Sequence, residues 1–361
     1  MLFLKIKSAK DYLHSPELIN STREENNNSV FERLLLWRNT SKMIADHPYI
    51  GVGLNNWKII NPTYGIGGTR QTDAGMMSYE HPHNDYLLIL AEQGPFGLLI
   101  YLMFFFFVIW TGINRLKEND SNKGLIIALI CGVIAFSVMS LSSYPRSRVY
   151  QVILLMLSAS ILISFSQGKN QYKINHRIIA FLLLLISVSG IVIFNLRLVS
   201  ERHAMKVLNA QLKGNFNRQF TEAGKADSWL CPMDITSTPF SWYRGMAKFY
   251  MQNIPEAINE YEKAVLVHPN HLRVLNDLAT SYETSGRREE AISLYRRALK
   301  ISPMFVEGNL NISATYYNSE KFDSAYYFIN QINDLKMSWK EENNYKKFKI
   351  AIESAVQSKL K

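Results

Sequence analysis

Cysteine is scarce, with 2 residues in 361. Cys131 lies inside an apolar run and Cys231 far downstream, so neither a disulfide framework nor a cysteine metal site is expected. No glycine-rich loop of the phosphate-cradling kind is present. An export signal is missing too: "MLFLKIKSAK" has basic residues but too short an apolar stretch. Charge is absent from four long stretches, Gly97–Ile113, Gly124–Leu141, Val149–Ser166 and Ile178–Leu196. Charge-free apolar runs of this length suit helices that cross a bilayer, where every backbone polar group must bond within its own segment. The competing explanation, buried helices of a soluble core, is disfavoured by four such runs in succession.

What is present divides the chain. The composition is 47% hydrophobic, but the apolar residues concentrate in 97–196 while both flanks read as soluble protein. The formal charge is +10. That balance suits work beside anionic lipid head groups or pyrophosphates, and basic loops flanking membrane helices also account for much of it. No nucleic-acid partner is expected.

Loop charge bears on orientation. Arg115, Lys117 and Lys123 follow the first run, and Lys169, Lys173 and Arg177 precede the fourth. Arg146 and Arg148 lie between the second and third. This slight excess places the first and third connecting loops in the cytoplasm, and Arg197, Arg202 and Lys206 argue the other way.

The C-terminal third repeats itself. Pro269 and Pro303 stand 34 residues apart, and in that register Ala257 matches Ala291, Tyr261 matches Tyr295, Ala264 matches Ala298 and Gly245 matches Ala279. Leu275, Leu278 and Tyr282 fall at first-helix positions of the second copy. The pattern resembles a tetratricopeptide repeat. Small residues let two antiparallel helices approach, an aromatic fills the gap between repeats, and proline ends the second helix. A third copy over 305–336 keeps Tyr316 and Ala325, as befits a terminal repeat, and 199–237 reads as a degenerate helical pair around Ala223. Such solenoids mostly bind proteins.

The remaining signal is "HPHNDYLLILAEQGPFG", residues 81–97, a titratable cluster at the entrance to the first apolar run. His83-Asn84 is followed by nine residues, then Gly94, two more, and then Gly97. Upstream, "VFERLLLWRNTSKMIADHPYIGVGLNNW" spans residues 30–57. This combination, over about residues 30–165, resembles the O-antigen ligase and polymerase family of bacterial membrane glycosyltransferases. The resemblance implies an all-α fold of polytopic membrane helices, four of them seen here, with a periplasmic loop domain and a C-terminal tetratricopeptide-like α-solenoid. It divides the chain into a loop domain at 1–96, membrane helices at 97–196, a helical linker at 197–237, repeats at 238–337 and a basic terminal helix at 338–361. It also implies a bacterial inner-membrane location, with motif loop and repeats periplasmic, and about a dozen helices in all. The chain is therefore expected to be the C-terminal part of a longer membrane protein.

The implied reaction passes a glycan from an undecaprenyl-diphosphate donor to an acceptor hydroxyl on a lipid, glycan or protein, with no cofactor and no metal. His83 stands at the family's catalytic position, and histidine suits a base because its ordinary pKa lies near neutrality. His81 is the second choice; Pro82 keeps it off a helix starting near His83. Asn84 would fix the ring or bind sugar. Arg33 stands at the family's "R…W" position, and its planar fork matches diphosphate oxygens. Arg38 is the weaker candidate, on another part of the same helix. Arg70 and Arg146 are loop arginines within possible reach. Glu92, half a turn out of phase with His83, reads as structural together with Asp85 and Leu88. Gly94, Pro95 and Gly97 are expected to break or tighten the helix entry, and Gly51 and Gly53 to permit a tight turn. The alternative is a non-catalytic membrane-anchored scaffold, with the repeats recruiting partners for polysaccharide assembly.

Overall fold

The computed structural model describes residues 18–66, 75, 79–117, 122–164, 176–332 and 339–359. Arg70, Lys169 and Lys173 lie outside them, as does the end of the third repeat. Two compact units form, residues 31–61 with 79–186 and residues 1–30 and 62–78 with 187–361. Among the described residues the regular structure is helical, with two isolated β-bridges.

In the first unit, α1 (Leu18–Asp46), from residue 31 on, precedes the short α2 (Trp57–Ile60), and α3 (Asp85–Lys117), α4 (Lys123–Met139) and α5 (Val149–Ser164) pack together. Phe105, Val108, Ile130, Val133, Leu155 and Leu162 are among the side chains of their shared core. Gly112 makes this closeness possible, since a Cβ there would meet Ile130 at 2.7 Å. The outward faces are apolar too: Phe106, Trp110, Ile127, Ile153 and Leu154 are exposed. Exposed apolar faces of this extent belong against lipid or further protein, not water.

Among the described residues, two helices are long and apolar enough to cross a membrane, α3 and α6 (His176–Leu212). The second and third apolar runs form shorter helices of 17 and 16 residues. The second run stops at Met139 because Ser140–Ser142 turn the chain.

The first run starts earlier than its composition suggests. Its helix begins at Asp85, passes the boundary at residue 97 without stopping, and breaks at Gly94 (φ 68°, ψ −171°). Pro95 has no N–H to donate to the Ala91 carbonyl. The "YIGVG" segment takes over: Val52 N–H donates to Ala91 O and Gly53 N–H to Glu92 O, both at 2.9 Å. Positive φ at Gly51 and Gly53 lets that segment lie against the break.

In the second unit, α7 (Phe216–Ala226) folds back on the end of α6, with Ala223 and Ala226 fully buried. Three helical pairs follow: α8 (Phe240–Tyr250) with α9 (Ile254–Val267), α10 (Leu272–Thr284) with α11 (Arg288–Ile301), and α12 (Val306–Tyr317) with α13 (Phe322–Ile329). The repeat register holds in atomic detail. Tyr261 and Tyr295 are buried, and a Cβ on Gly245 would stand 2.6 Å from the Tyr261 ring. Pro269 and Pro303 lie two residues beyond the ends of α9 and α11. The terminal α14 (Trp339–Lys359) packs on α13 and buries Tyr345 and Ile352.

Candidate functional site

The site is assembled from three chain segments of the first unit: α1, the His81–Asn84 turn, and the loop after α4. The side-chain oxygen of Asn84 accepts from the Leu87 N–H at 3.0 Å, so this residue caps α3. Its carbonyl oxygen is thus committed to the helix end, leaving its amide nitrogen as a donor. The helix start at Asp85 puts His83 outside the helix, in the left-handed region at φ 55°. Histidine tolerates that region better than most non-glycine residues, but the conformation still costs about 1–2 kcal/mol.

Helix α1 fixes the turn from the side. Trp37 Nε1 donates to the Pro82 carbonyl at 2.8 Å. Arg33 lies one helical turn earlier on the same face, and its charge acts on His83. Arg38 is exposed on α1. A second set of bonds secures the frame behind the turn. Glu92 accepts from Trp57 N–H at 3.2 Å, Trp57 Nε1 donates to Thr40 Oγ1 at 3.0 Å, and Thr40 donates to Leu36 O at 2.7 Å. Glu92 is buried with Asp85 and Leu88 on one face of α3, where it latches Trp57 in place.

Of the third segment, sequence reasoning offered Arg146 as within reach of the site and missed Tyr144. Tyr144 stacks on His81 with ring centroids 3.6 Å apart and meets His83 edge-on at 5.2 Å. His81 and His83 are themselves edge to face at 4.9 Å. The Arg148 guanidinium lies 5.0 Å from the Tyr144 ring centre. Asp85 clips this loop to α3: its N–H donates to Ser140 O at 2.9 Å, and its carboxylate accepts from Arg146 N–H at 3.1 Å. The sequence-based expectation that Arg146 comes within reach of the site agrees with this clip, whereas nothing in the sequence pointed to Tyr144.

Positive charge surrounds the histidines. Arg148 and Lys58 both act on His81, and Lys58 is paired with Glu80 at 3.1 Å. Burial, then the neighbouring His81, then Arg33 push the His83 imidazole down to about 4. Burial lowers His81 as well. Around neutrality His83 is therefore neutral, the form that accepts a proton. Between pH 6.5 and about 4 the unfolded chain binds a proton that the folded His83 refuses. Stability from this group is thus present above 6.5 and falls as pH falls through that window.

The class defined by these features is an all-α protein with apolar spans, a histidine–asparagine turn at a span entrance and a helical repeat array. Comparison with known families agrees. Residues 1–102, which hold both Arg33 and His83, match the O-antigen ligase family model, and residues 238–303 match the tetratricopeptide repeat model. One chain thus carries a segment similar to O-antigen ligases and a segment similar to tetratricopeptide repeats. It is also 33% identical over 81 residues to the peroxisomal targeting signal receptor of Saccharomyces cerevisiae, covering 22% of this chain and 13% of that protein. The receptor of the same name from Candida glabrata is 32% identical over 74 residues, 20% of this chain and 12% of that protein. The chain thus spans about an eighth of the length of these relatives.

Proposed function

We propose that the chain is a membrane glycosyltransferase, moving a glycan from an undecaprenyl-diphosphate donor to an acceptor hydroxyl at the periplasmic face of a bacterial inner membrane. The observation that carries this reading is the neutral His83, held in a strained turn among cationic side chains at the entrance to an apolar span. The acceptor oxygen attacks the anomeric carbon and gives its proton to a ring nitrogen of His83. The anomeric bond to the diphosphate breaks, and its electron pair leaves with the diphosphate. Arg33 takes that growing charge, with Arg146 and Arg148 on the opposite loop. His81 orders the wall through its stack on Tyr144, and the amide nitrogen of Asn84 donates to the sugar. All four apolar runs cross the bilayer, residues 1–96 form the periplasmic loop, and the repeats at 238–337 hold a protein partner on the same side.

Arg33→Ala is expected to raise the donor KM about 10- to 100-fold, the worth of a lost charged hydrogen bond. Arg33→Lys would recover part of it, since an ammonium lacks the planar fork. Arg38→Ala should leave KM unchanged. An equal loss at Arg38 would overturn the assignment of the diphosphate to Arg33.

The pH profile offers an independent check. The acid limb of kcat/KM reports the free enzyme and is expected near pH 4, where His83 takes up its proton. A limb near 6.5 would mean that His83 is not the base, or is not buried as described.

A further inference from the structure

We propose that the turns between Ser228 and Thr238 form a membrane-interface anchor, with Trp229, Leu230 and Ile235 seated among the head groups of the bilayer that α6 enters. Three features of the second unit lead there.

The first is where α6 becomes bare. Ser200, Ala204, Val207 and Ala210 are buried, a stripe at helical spacing packed against protein. On the other side of Leu196, Ile191, Val192, Ile193 and Phe194 are all exposed. The exposed Arg197 marks the change. A bilayer surface near Leu196–Val199 satisfies both halves.

The second is the register of the hairpin. α6 turns at Gly214, and α7 returns beside it, with His203 Nδ1 and Glu222 Oε2 2.6 Å apart and Lys206 3.8 Å from the same oxygen. Antiparallel pairing at those positions brings Ser228 back to the level of Arg197–Ser200. About 14 residues at 1.5 Å each carry the chain roughly 20 Å out and the same distance back.

The third is what the chain presents at that level. Cys231 N–H donates to Ser228 O at 3.0 Å, closing a turn with Trp229 and Leu230 at its tip. The Asp234 carboxylate accepts from Thr236 N–H, Thr238 N–H and the Tyr243 hydroxyl, all within 3.0 Å. On this hydrogen-bonded scaffold Trp229 is 86% exposed and Ile235 64%. A rigid loop that holds an indole in solvent has no reason to do so in water. At an interface the ring body meets acyl chain and its N–H meets the head groups.

The test uses the full chain in vesicles of phosphatidylethanolamine and phosphatidylglycerol. On a Cys131→Ala, Cys231→Ala background, an environment-sensitive fluorophore is attached through Trp229→Cys, Ile235→Cys or, as control, Glu289→Cys. Labels at 229 and 235 should be quenched by lipids spin-labelled near the head group, and their iodide quenching should fall several-fold below that at 289. A second reading needs no cysteine: brominated lipid should quench the unaltered chain more than the Trp229→Phe variant. Iodide access at 229 and 235 equal to that at 289 would overturn the proposal. So would protection from both quenchers, which would point to a protein covering the loop.

Discussion

His83→Ala should lower glycan transfer about 100- to 10,000-fold, the usual range for loss of a positioned base, with the protein level unchanged. His83 occupies a left-handed backbone position, where alanine is no better suited, and its burial keeps its ring neutral against Arg33. Removing the ring deletes a desolvated base without opening a helix or a core. The variant should therefore express and remain in the membrane fraction while transfer disappears. His81→Ala should be milder, because the His81 ring acts through its stack on Tyr144. If His83→Ala transfers at an undiminished rate, the base lies elsewhere.

Gly94→Ala should be the most damaging glycine-to-alanine change among the described residues. A Cβ at residue 94 would sit 2.1 Å from the Tyr49 carbonyl oxygen and 3.1 Å from Ile50 Cα, and neither backbone atom can swing aside as a side-chain end does. The residue also stands at φ 68° with extended ψ, a conformation that essentially only glycine takes without strain. Together the conformational cost and the overlap exceed about 4 kcal/mol. The midpoint of heat-induced loss of detergent-solubilised protein should drop by roughly 10 °C or more. The effect reaches the site because the same break frees the Ala91 and Glu92 carbonyls for Val52 and Gly53, next to the Trp57 that Glu92 holds. Gly132→Ala, where an added Cβ meets nothing within 4 Å, is the matched control. Equal midpoints for the two variants would refute this account of the break.

Much of this arrangement was legible because it is local. The repeat register shows itself through small and aromatic residues at a fixed period, and Ala257, Tyr261, Ala291 and Tyr295 are all buried. Glycines and a proline around residues 51 and 94 announced a tight approach, although not which carbonyls would be shared. The phase of Glu92 on its helix was readable from spacing, and its latch on Trp57 is what that phase allows. The stacking of Tyr144 on His81 was not readable. It joins residues more than sixty apart through a loop whose path depends on how α3 and α4 pack, and no periodicity encodes that. Asn84 carried two readings, fixing the ring or binding sugar, and its role as the cap of α3 emerges only from its bond to the Leu87 N–H. The end of α4 was missed because apolar composition continues past its last helical hydrogen bond.

The reaction we propose for this chain moves a glycan off a polyprenyl diphosphate. Its most direct test is transfer by the membrane-embedded protein supplied with an undecaprenyl-diphosphate-linked glycan and an acceptor, reading both products. The account predicts transferred glycan and released undecaprenyl diphosphate in equal amounts, with the anomeric configuration inverted. An intact donor, with the folded protein present and its repeats still capturing a partner, would contradict it and leave the chain a scaffold.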